Sequence, residues 1–144
     1  MPVSGLQIRS ASLNDGDAVF FLASELSPGV AHDRTLFEKA FRKMIADYPR
    51  AYFYVAEVQF QVVGYVVVTV NDLLFTNGPS AQLQEIVVGE KLRGNGVGTA
   101  LVRTVEKTCE EAGVVQLTVA SRRAGGFYDR LGYSQQAEFM RRSF

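Results

Sequence analysis

The 144-residue sequence contains one cysteine, one histidine and no tryptophan. Because Cys109 is the only thiol, an intrachain disulfide is excluded and no oxidising compartment is indicated. His32 precedes a predicted helix, where a lone histidine is usually a surface or capping residue, and its isolation disfavours a Ser-His-Asp triad. Any metal site would depend on carboxylates and one thiol, so we expect none.

The sequence also lacks an excess of charge and any long apolar run. Fifteen Lys and Arg residues balance fifteen Asp and Glu residues, whereas nucleic-acid-binding proteins usually carry a basic excess. The apolar run Val66–Val68 is far shorter than the roughly 20 residues that span a bilayer. Residues 1–5 lack the features of a signal peptide. We therefore expect one cytoplasmic domain over residues 1–144, with neither nucleic acid nor membrane as a partner.

Apolar periodicity predicts a mixed α/β domain in which several strands follow one another. Helices are predicted to open at Ser12 and near Asp33 or Thr35, and to run from Val97 to Ala112 and from Ala124 to Leu131. The predicted strands are Leu6–Arg9, Tyr52–Val58, Val62–Val70, Gln82–Val88 and Val114–Val119, with one or two more from Tyr133 onward.

A glycine-rich loop lies between the strand ending at Val88 and the following helix. Gly94, Gly96 and Gly98 alternate there, so backbone amides can approach an anion closely at a helix N-terminus. The spacing fits neither a phosphate-binding P-loop, which needs Gly-Lys-Ser/Thr, nor a dinucleotide-binding loop. By itself, the loop is compatible with a phosphate site or with a tight turn that binds nothing.

Two separate blocks of sequence resemble the GNAT N-acetyltransferase superfamily. Arg93, Gly96 and Gly98 match its acetyl-CoA signature, Arg/Gln-x-x-Gly-x-Gly/Ala, directly after the strand residues 83–88. The segment Phe127–Tyr133 is similar to the family's Phe-Tyr-x-x-Leu-Gly-Phe block. The resemblance covers essentially the whole chain and implies a GNAT fold, an α/β domain with a mixed central sheet of six to seven strands flanked by about four helices.

The resemblance implies acetyl-CoA as the cosubstrate and indicates which residues would hold it. The strand before the loop is expected to splay from its neighbour, so that backbone groups of Ile86, Val87 and Val88 contact the pantetheine arm. Ser121 stands where the family often has an asparagine that contacts the coenzyme, and Arg122 and Arg123 after it would either reach the adenosine phosphates or form a solvated turn. The residues expected around the pyrophosphate are Arg93, Gly94, Asn95, Gly96, Val97, Gly98 and Thr99.

Two residues are expected to carry the chemistry. Tyr128 matches the tyrosine that protonates the departing thiolate in many family members, and its alternative role is aromatic packing. A phenol with a pKa of about 10 stays protonated at neutral pH and suits that task. Glu85 would accept the proton of the incoming amine directly or through a water, or else would only orient the substrate.

The resulting hypothesis is an N-acetyltransferase in which a primary amine attacks acetyl-CoA directly. The alternatives are a non-catalytic acyl-CoA-binding module with the same fold and a nucleotide-binding protein. The acceptor, either a small-molecule amine or a protein or peptide amine, would be selected by residues 12–48 and 73–80. The resemblance also implies a homodimer as a candidate assembly, since dimers are common among similar proteins.

Overall fold

A computed structural model describes residues 3–121 and 126–144. It contains one five-stranded sheet in the order β1-β2-β3-β4-β5. Neighbouring strands are antiparallel except for β4 and β5, which are parallel. The strands are β1 Leu6–Ser10, β2 Ala51–Val58, β3 Gln61–Leu73, β4 Gly78–Val88 and β5 Gln116–Val119.

The helices are α1 Gly16–Ser24, α2 Arg34–Ala46, α3 Val97–Glu111 and α4 Phe127–Arg130. Short 3-10 turns precede α1 and follow β4. Asp33 caps α2, since its carboxylate accepts hydrogen bonds from the amides of Thr35 and Leu36 at 2.8 and 3.1 Å. The parallel strands flank α3 in the chain, as predicted, because a parallel connection needs a crossover element.

Two sequence predictions need correction. The expectation of six to seven strands is wrong for the described residues, because the segment after Tyr133 forms no strand and the sheet has five. The short helix predicted over Ala124–Leu131 is confirmed only for Phe127–Arg130, and residues 122–125, including Arg122 and Arg123, lie outside the described residues. None of the described helices is both long enough and apolar enough to cross a membrane.

Side chains of the central strands alternate between two apolar layers. Val66 and Val68 of β3 pack on one face of the sheet against Leu101 of α3. On the other face, Tyr65 of β3 packs in the cluster that contains Phe41 of α2. Alternate residues of a strand point to opposite faces, so the uninterrupted apolar run of β3 is buried by helices on both sides.

A buried carboxylate attaches the start of α1 to the edge of the sheet. Asp15 is 6% exposed and accepts two hydrogen bonds of 2.9 Å from the Arg9 guanidinium. The Ser12 amide donates to the same carboxylate at 2.8 Å, and Ser12 with Asp15 forms a capping box. Arg9 also donates to Glu57 on β2 at 2.6 Å. The hydrogen bond from Arg9, outweighing desolvation, lowers the pKa of Asp15 below its ordinary value.

We expect Asp15→Asn to lower the free energy of unfolding by about 2 kcal/mol at pH 7, because it removes the charge that Arg9 and the Ser12 amide stabilise. The folded-state pKa of Asp15 is depressed, so its contribution is present above the unfolded pKa and is lost as pH falls through the folded pKa. Urea unfolding at pH 7 and pH 3 measures both effects. The difference in the free energy of unfolding between wild type and Asp15→Asn should be smaller at pH 3. The matched control is Asp17→Asn, whose exposed carboxylate also contacts an arginine, Arg34. An equal loss of stability in both variants would contradict the assignment.

Candidate functional site

The site is created where β4 separates from β5. β4 pairs with β3 from Gly78 to Val88 but pairs with β5 only from Ser80 to Leu83. The β3–β4 register shifts at this point, so that Gln84 is the extra residue of a bulge, and bulges increase local twist. Beyond Leu83, the side of β4 turned away from β3 therefore has no ladder partner among the described residues.

The glycine loop adopts the conformation that an anion site requires. Gly94 and Gly96 have φ angles of 79° and 85°, in the left-handed region that favours glycine. Gly96 is the N-cap of α3 and has no side chain to cap the first amides. The first helical hydrogen bond at this end runs from the Ala100 amide to the Gly96 carbonyl at 3.0 Å. The amides of residues 97–99 thus precede that bond and carry the positive end of the helix dipole.

Arg93 lies at the opening of the loop and is held by two partners. Its Nε donates to the Val88 carbonyl at 3.1 Å, and its terminal nitrogen donates to Glu25 at 3.0 Å. Glu25 is the residue directly after α1. The guanidinium therefore connects the end of β4 to the end of α1 and keeps its remaining donors for another ligand.

Glu85 is positioned by a buried phenol that sequence reasoning missed. The hydroxyl of Tyr65 donates to Glu85 Oε1 at 2.7 Å, and Tyr65 is 1% exposed. Burial, followed by the charge of Glu85 and their hydrogen bond, raises the pKa of Tyr65 far above its ordinary range. Tyr65 therefore remains a donor at any physiological pH. It pairs with Val87, diagonal to Glu85, a relation that only the strand register reveals.

Tyr128 lies on α4 within an aromatic group on the α3 side of the sheet. Its ring makes edge-to-face contacts with Phe127 and Tyr133, with centroid distances of 4.9 and 5.5 Å. The hydroxyl of Tyr133 donates to Glu106 of α3 at 2.7 Å. This packing fixes the plane of the Tyr128 ring, and the ring also borders the opening between β4 and β5.

A cavity of about 1000 Å³ unites these features. Because β4 and β5 diverge, the cavity is bordered from both faces of the sheet, by Glu85 on the α1–α2 side and by Tyr128 on the α3 side. The other predicted residues that line it are Ile86, Val88, Arg93, Gly94, Gly96, Gly98, Thr99 and Ser121.

Three predicted residues do not line the cavity. Val87 and Val97 are 3% and 1% exposed and belong to the apolar layers on opposite faces. Asn95 instead donates to the Arg93 carbonyl at 3.2 Å. The resemblance assigns a backbone role to Val87, and its side-chain burial is compatible with that role.

Comparison with known proteins decides the family. The model of the acetyltransferase (GNAT) family matches residues 18–133. This chain belongs to the GNAT family. An uncharacterized N-acetyltransferase of Chlorobaculum tepidum is 27% identical over 135 residues, which cover 94% of this chain and 79% of that protein. The aminoalkylphosphonate N-acetyltransferase of Salmonella typhimurium is 29% identical over 139 residues, covering 94% and 88% of the two chains. The family and these relatives support N-acetyltransferase activity in general terms.

Solved structures agree on the GNAT fold. Glucosamine-6-phosphate N-acetyltransferase from Arabidopsis thaliana superposes with a TM-score of 0.85 at 19% identity, covering 96% of this chain and 98% of that one. A transcriptional regulator from Bacillus halodurans gives a TM-score of 0.88 at 19% identity, covering 96% and 99%. At such low identity these likenesses concern the fold alone.

The remaining candidates for chemistry behave as packing or surface residues. Cys109 is buried in the α3 layer, where desolvation raises the pKa of its thiol to about 11, so it is a poor nucleophile. The ring of His32 lies 3.1 Å from the Ser27 carbonyl. Within residues 3–121 and 126–144, no group of three His, Cys, Asp or Glu side chains could hold a metal ion.

Close contact of β3 with β4 depends on Gly64. A Cβ atom built on Gly64 would lie 2.9 Å from the Val87 carbonyl oxygen, within backbone that cannot rotate away. Glycine therefore permits the two strands to approach at the end of β4 that borders the cavity.

We expect Gly64→Ala to lower the free energy of unfolding by about 1–3 kcal/mol, because β4 must shift to accommodate the methyl group. Chemical denaturation measures this loss. Gly29→Ala is the control, since a Cβ there meets nothing within 4 Å. Wild-type stability in Gly64→Ala would show that the β3–β4 spacing does not depend on this glycine.

Proposed function

We propose that this GNAT-family chain is an N-acetyltransferase that uses acetyl-CoA and transfers its acetyl group directly to a primary amine. The observation that carries the proposal is the single cavity that joins the anion-binding loop, Glu85 and Tyr128 where β4 leaves β5. Acetyl-CoA would supply a thioester carbonyl as the acetyl donor.

The loop and the diverging strand suit the shape of the coenzyme. The amides of residues 97–99 and the guanidinium of Arg93 provide donors for a pyrophosphate. The unpaired side of β4 beyond Leu83 provides backbone groups for an extended amide-containing arm, as an additional strand would. Ser121, at the end of β5, borders the cavity opposite them. These features support coenzyme binding by residues that the sequence resemblance selected.

Glu85 and Tyr128 would carry the proton transfers of the reaction. The amine forms a bond to the carbonyl carbon as the carbon–sulfur bond breaks, giving an amide and a thiol. Glu85 takes the proton that the ammonium loses before attack, directly or through a water, and the Tyr128 hydroxyl gives a proton to the leaving sulfur. The second nitrogen proton, lost as the amide forms, returns to the Tyr128 oxygen. Tyr65 keeps the Glu85 carboxylate in place by its 2.7 Å hydrogen bond.

If Tyr128 is the acid, Tyr128→Phe should lower kcat by about 100-fold, because it removes the proton donor and keeps the ring. Release of the coenzyme thiol from acetyl-CoA in the presence of amines measures kcat, and calorimetric titration with coenzyme A should show unchanged affinity. Tyr133→Phe is the matched control, since it also removes one phenol of the same aromatic group but loses a bond to Glu106. That control should be less stable yet retain kcat. An unchanged kcat in Tyr128→Phe would refute the acid role.

If Glu85 is the base, Glu85→Gln should lower kcat/KM at pH 7 by about 100-fold while keeping an acceptor for Tyr65. Because a free alkylamine has a pKa of about 10, raising the pH supplies deprotonated amine and should narrow the deficit. The pH dependence of kcat/KM between pH 7 and 10 measures this. Tyr65→Phe keeps the charge and removes only the positioning hydrogen bond, so its loss should be smaller. A deficit in Glu85→Gln that stays constant with pH would indicate that Glu85 only orients the substrate.

A further inference from the structure

The part of the cavity on the α1–α2 face of the sheet is mainly apolar. We call it the acceptor compartment. Its walls come from α1, α2 and the two strands beside them, and Phe37 stacks against Phe41 while Phe41 meets Phe53 edge-to-face. The apolar residues that define it are Val19, Leu26, Phe37, Ala40, Met44 and Phe53.

The described lining of this compartment contains one carboxylate. Glu85 is the only carboxylate among the described residues that border the cavity, and it points into the α1–α2 side with Tyr65. Arg93 borders the cavity at the glycine loop and is already paired with Glu25, and Arg130 borders it from α4. His32 is the only other basic side chain of the described lining, and its Nε2 hydrogen-bonds to the Ser27 carbonyl at 3.1 Å.

Arg34, which packs on the compartment residue Phe37, is also committed elsewhere. The guanidinium of Arg34 lies over the rings of Phe20 and Phe37 at 5.0 and 5.8 Å. It is ion-paired with Asp17 and Glu38. Its charge is therefore balanced outside the cavity, and it does not border the compartment.

We infer that the acceptor is a primary amine carried on an uncharged apolar or aromatic body, an inference that rests on the proposed function. The ammonium group is attracted by Glu85 and by the negative faces of the aromatic rings. The body of the molecule is stabilised by burial against Phe37, Met44 and Phe53.

The same walls disfavour an acceptor that carries a phosphate or phosphonate. Burying such a dianion in an apolar compartment is costly unless cations pair with it. On the α1–α2 side, Glu85 in the described lining repels the dianion. The arginine at the glycine loop, Arg93, is already paired with Glu25. The chain would thus differ in acceptor from the Salmonella typhimurium relative, whose name gives an aminoalkylphosphonate as its substrate.

A homologous series of amines tests the inference. Coenzyme thiol release with acetyl-CoA is measured for n-butylamine, n-pentylamine, n-hexylamine and 2-phenylethylamine, beside 2-aminoethylphosphonate, glucosamine 6-phosphate and spermidine. We expect kcat/KM to rise roughly fourfold per added methylene, as burial of apolar groups predicts. The phosphonate, the sugar phosphate and spermidine should be the poorest acceptors. A value of kcat/KM that does not change along the alkylamine series would overturn the inference. So would a preference for the phosphonate, the sugar phosphate or spermidine.

A charge introduced at the opening provides a second, independent test. Ala40 is exposed on α2 and borders the cavity, so Ala40→Arg should fold, since arginine favours helices nearly as well as alanine. It should lower kcat/KM for n-hexylamine and raise that for 2-aminoethylphosphonate by about tenfold, the effect of one charge-assisted hydrogen bond. Ala46→Arg, on the same helix and away from the cavity lining, should change neither value. If Ala40→Arg leaves the ratio of kcat/KM for n-hexylamine to kcat/KM for 2-aminoethylphosphonate unchanged, the placement of the acceptor is wrong.

Binding of product analogues separates this inference from the proposed function. N-hexylacetamide and N-acetyl-2-aminoethylphosphonate are compared for their effect on Tm in the presence of coenzyme A, which needs no turnover. If no amine releases thiol but N-hexylacetamide alone raises Tm, the proposed catalysis fails and the inferred acceptor chemistry stands. If the phosphonate product raises Tm more, the inference fails whether or not the chain is an enzyme.

Discussion

The separation of β4 from β5 after Leu83 is the constraint on which the rest of the site depends. A parallel pair that continued to Val88 would close the gap between the two faces of the sheet and would satisfy the backbone of β4 with another strand. The bulge at Gln84 and the short length of β5, which ends at Val119, prevent this. One interruption of regular pairing thus produces the cavity, frees backbone groups along one side of β4, and lets side chains from opposite faces border a common space.

The charges around this opening divide it into two ends of different character. At the glycine loop, the N-terminus of α3 and Arg93 present positive potential, although Arg93 is already balanced by Glu25. On the α1–α2 side the charge is that of Glu85, held by a phenol whose burial keeps it protonated. An anion is favoured at the first end and a cation at the second, so the two reactants would be oriented before any specific contact forms.

Sequence reasoning found the motifs and much of the fold but not the contacts between distant segments. Alternating glycines and the Phe127–Tyr128 block carry a local signal, because the backbone conformation and the aromatic pair need particular residues. Tyr65 gives no such signal, since a tyrosine in a valine-rich strand is ordinary, and only the β3–β4 register places it beside Glu85. The prediction of final strands from Tyr133 onward is wrong, because a segment with strand-like composition forms a strand only where a partner edge accepts it.

Helix α1 connects the two halves of the site because both of its ends are fastened. Its start follows Asp15, which Arg9 and the Ser12 amide hold against the edge of the sheet. Its end leads to Glu25, which binds the guanidinium of Arg93 at the glycine loop. The helix also supplies Val19 to the acceptor compartment. A phosphate bound by the remaining donors of Arg93 would share one guanidinium with Glu25, so anion binding at this loop would be coupled to the position of α1.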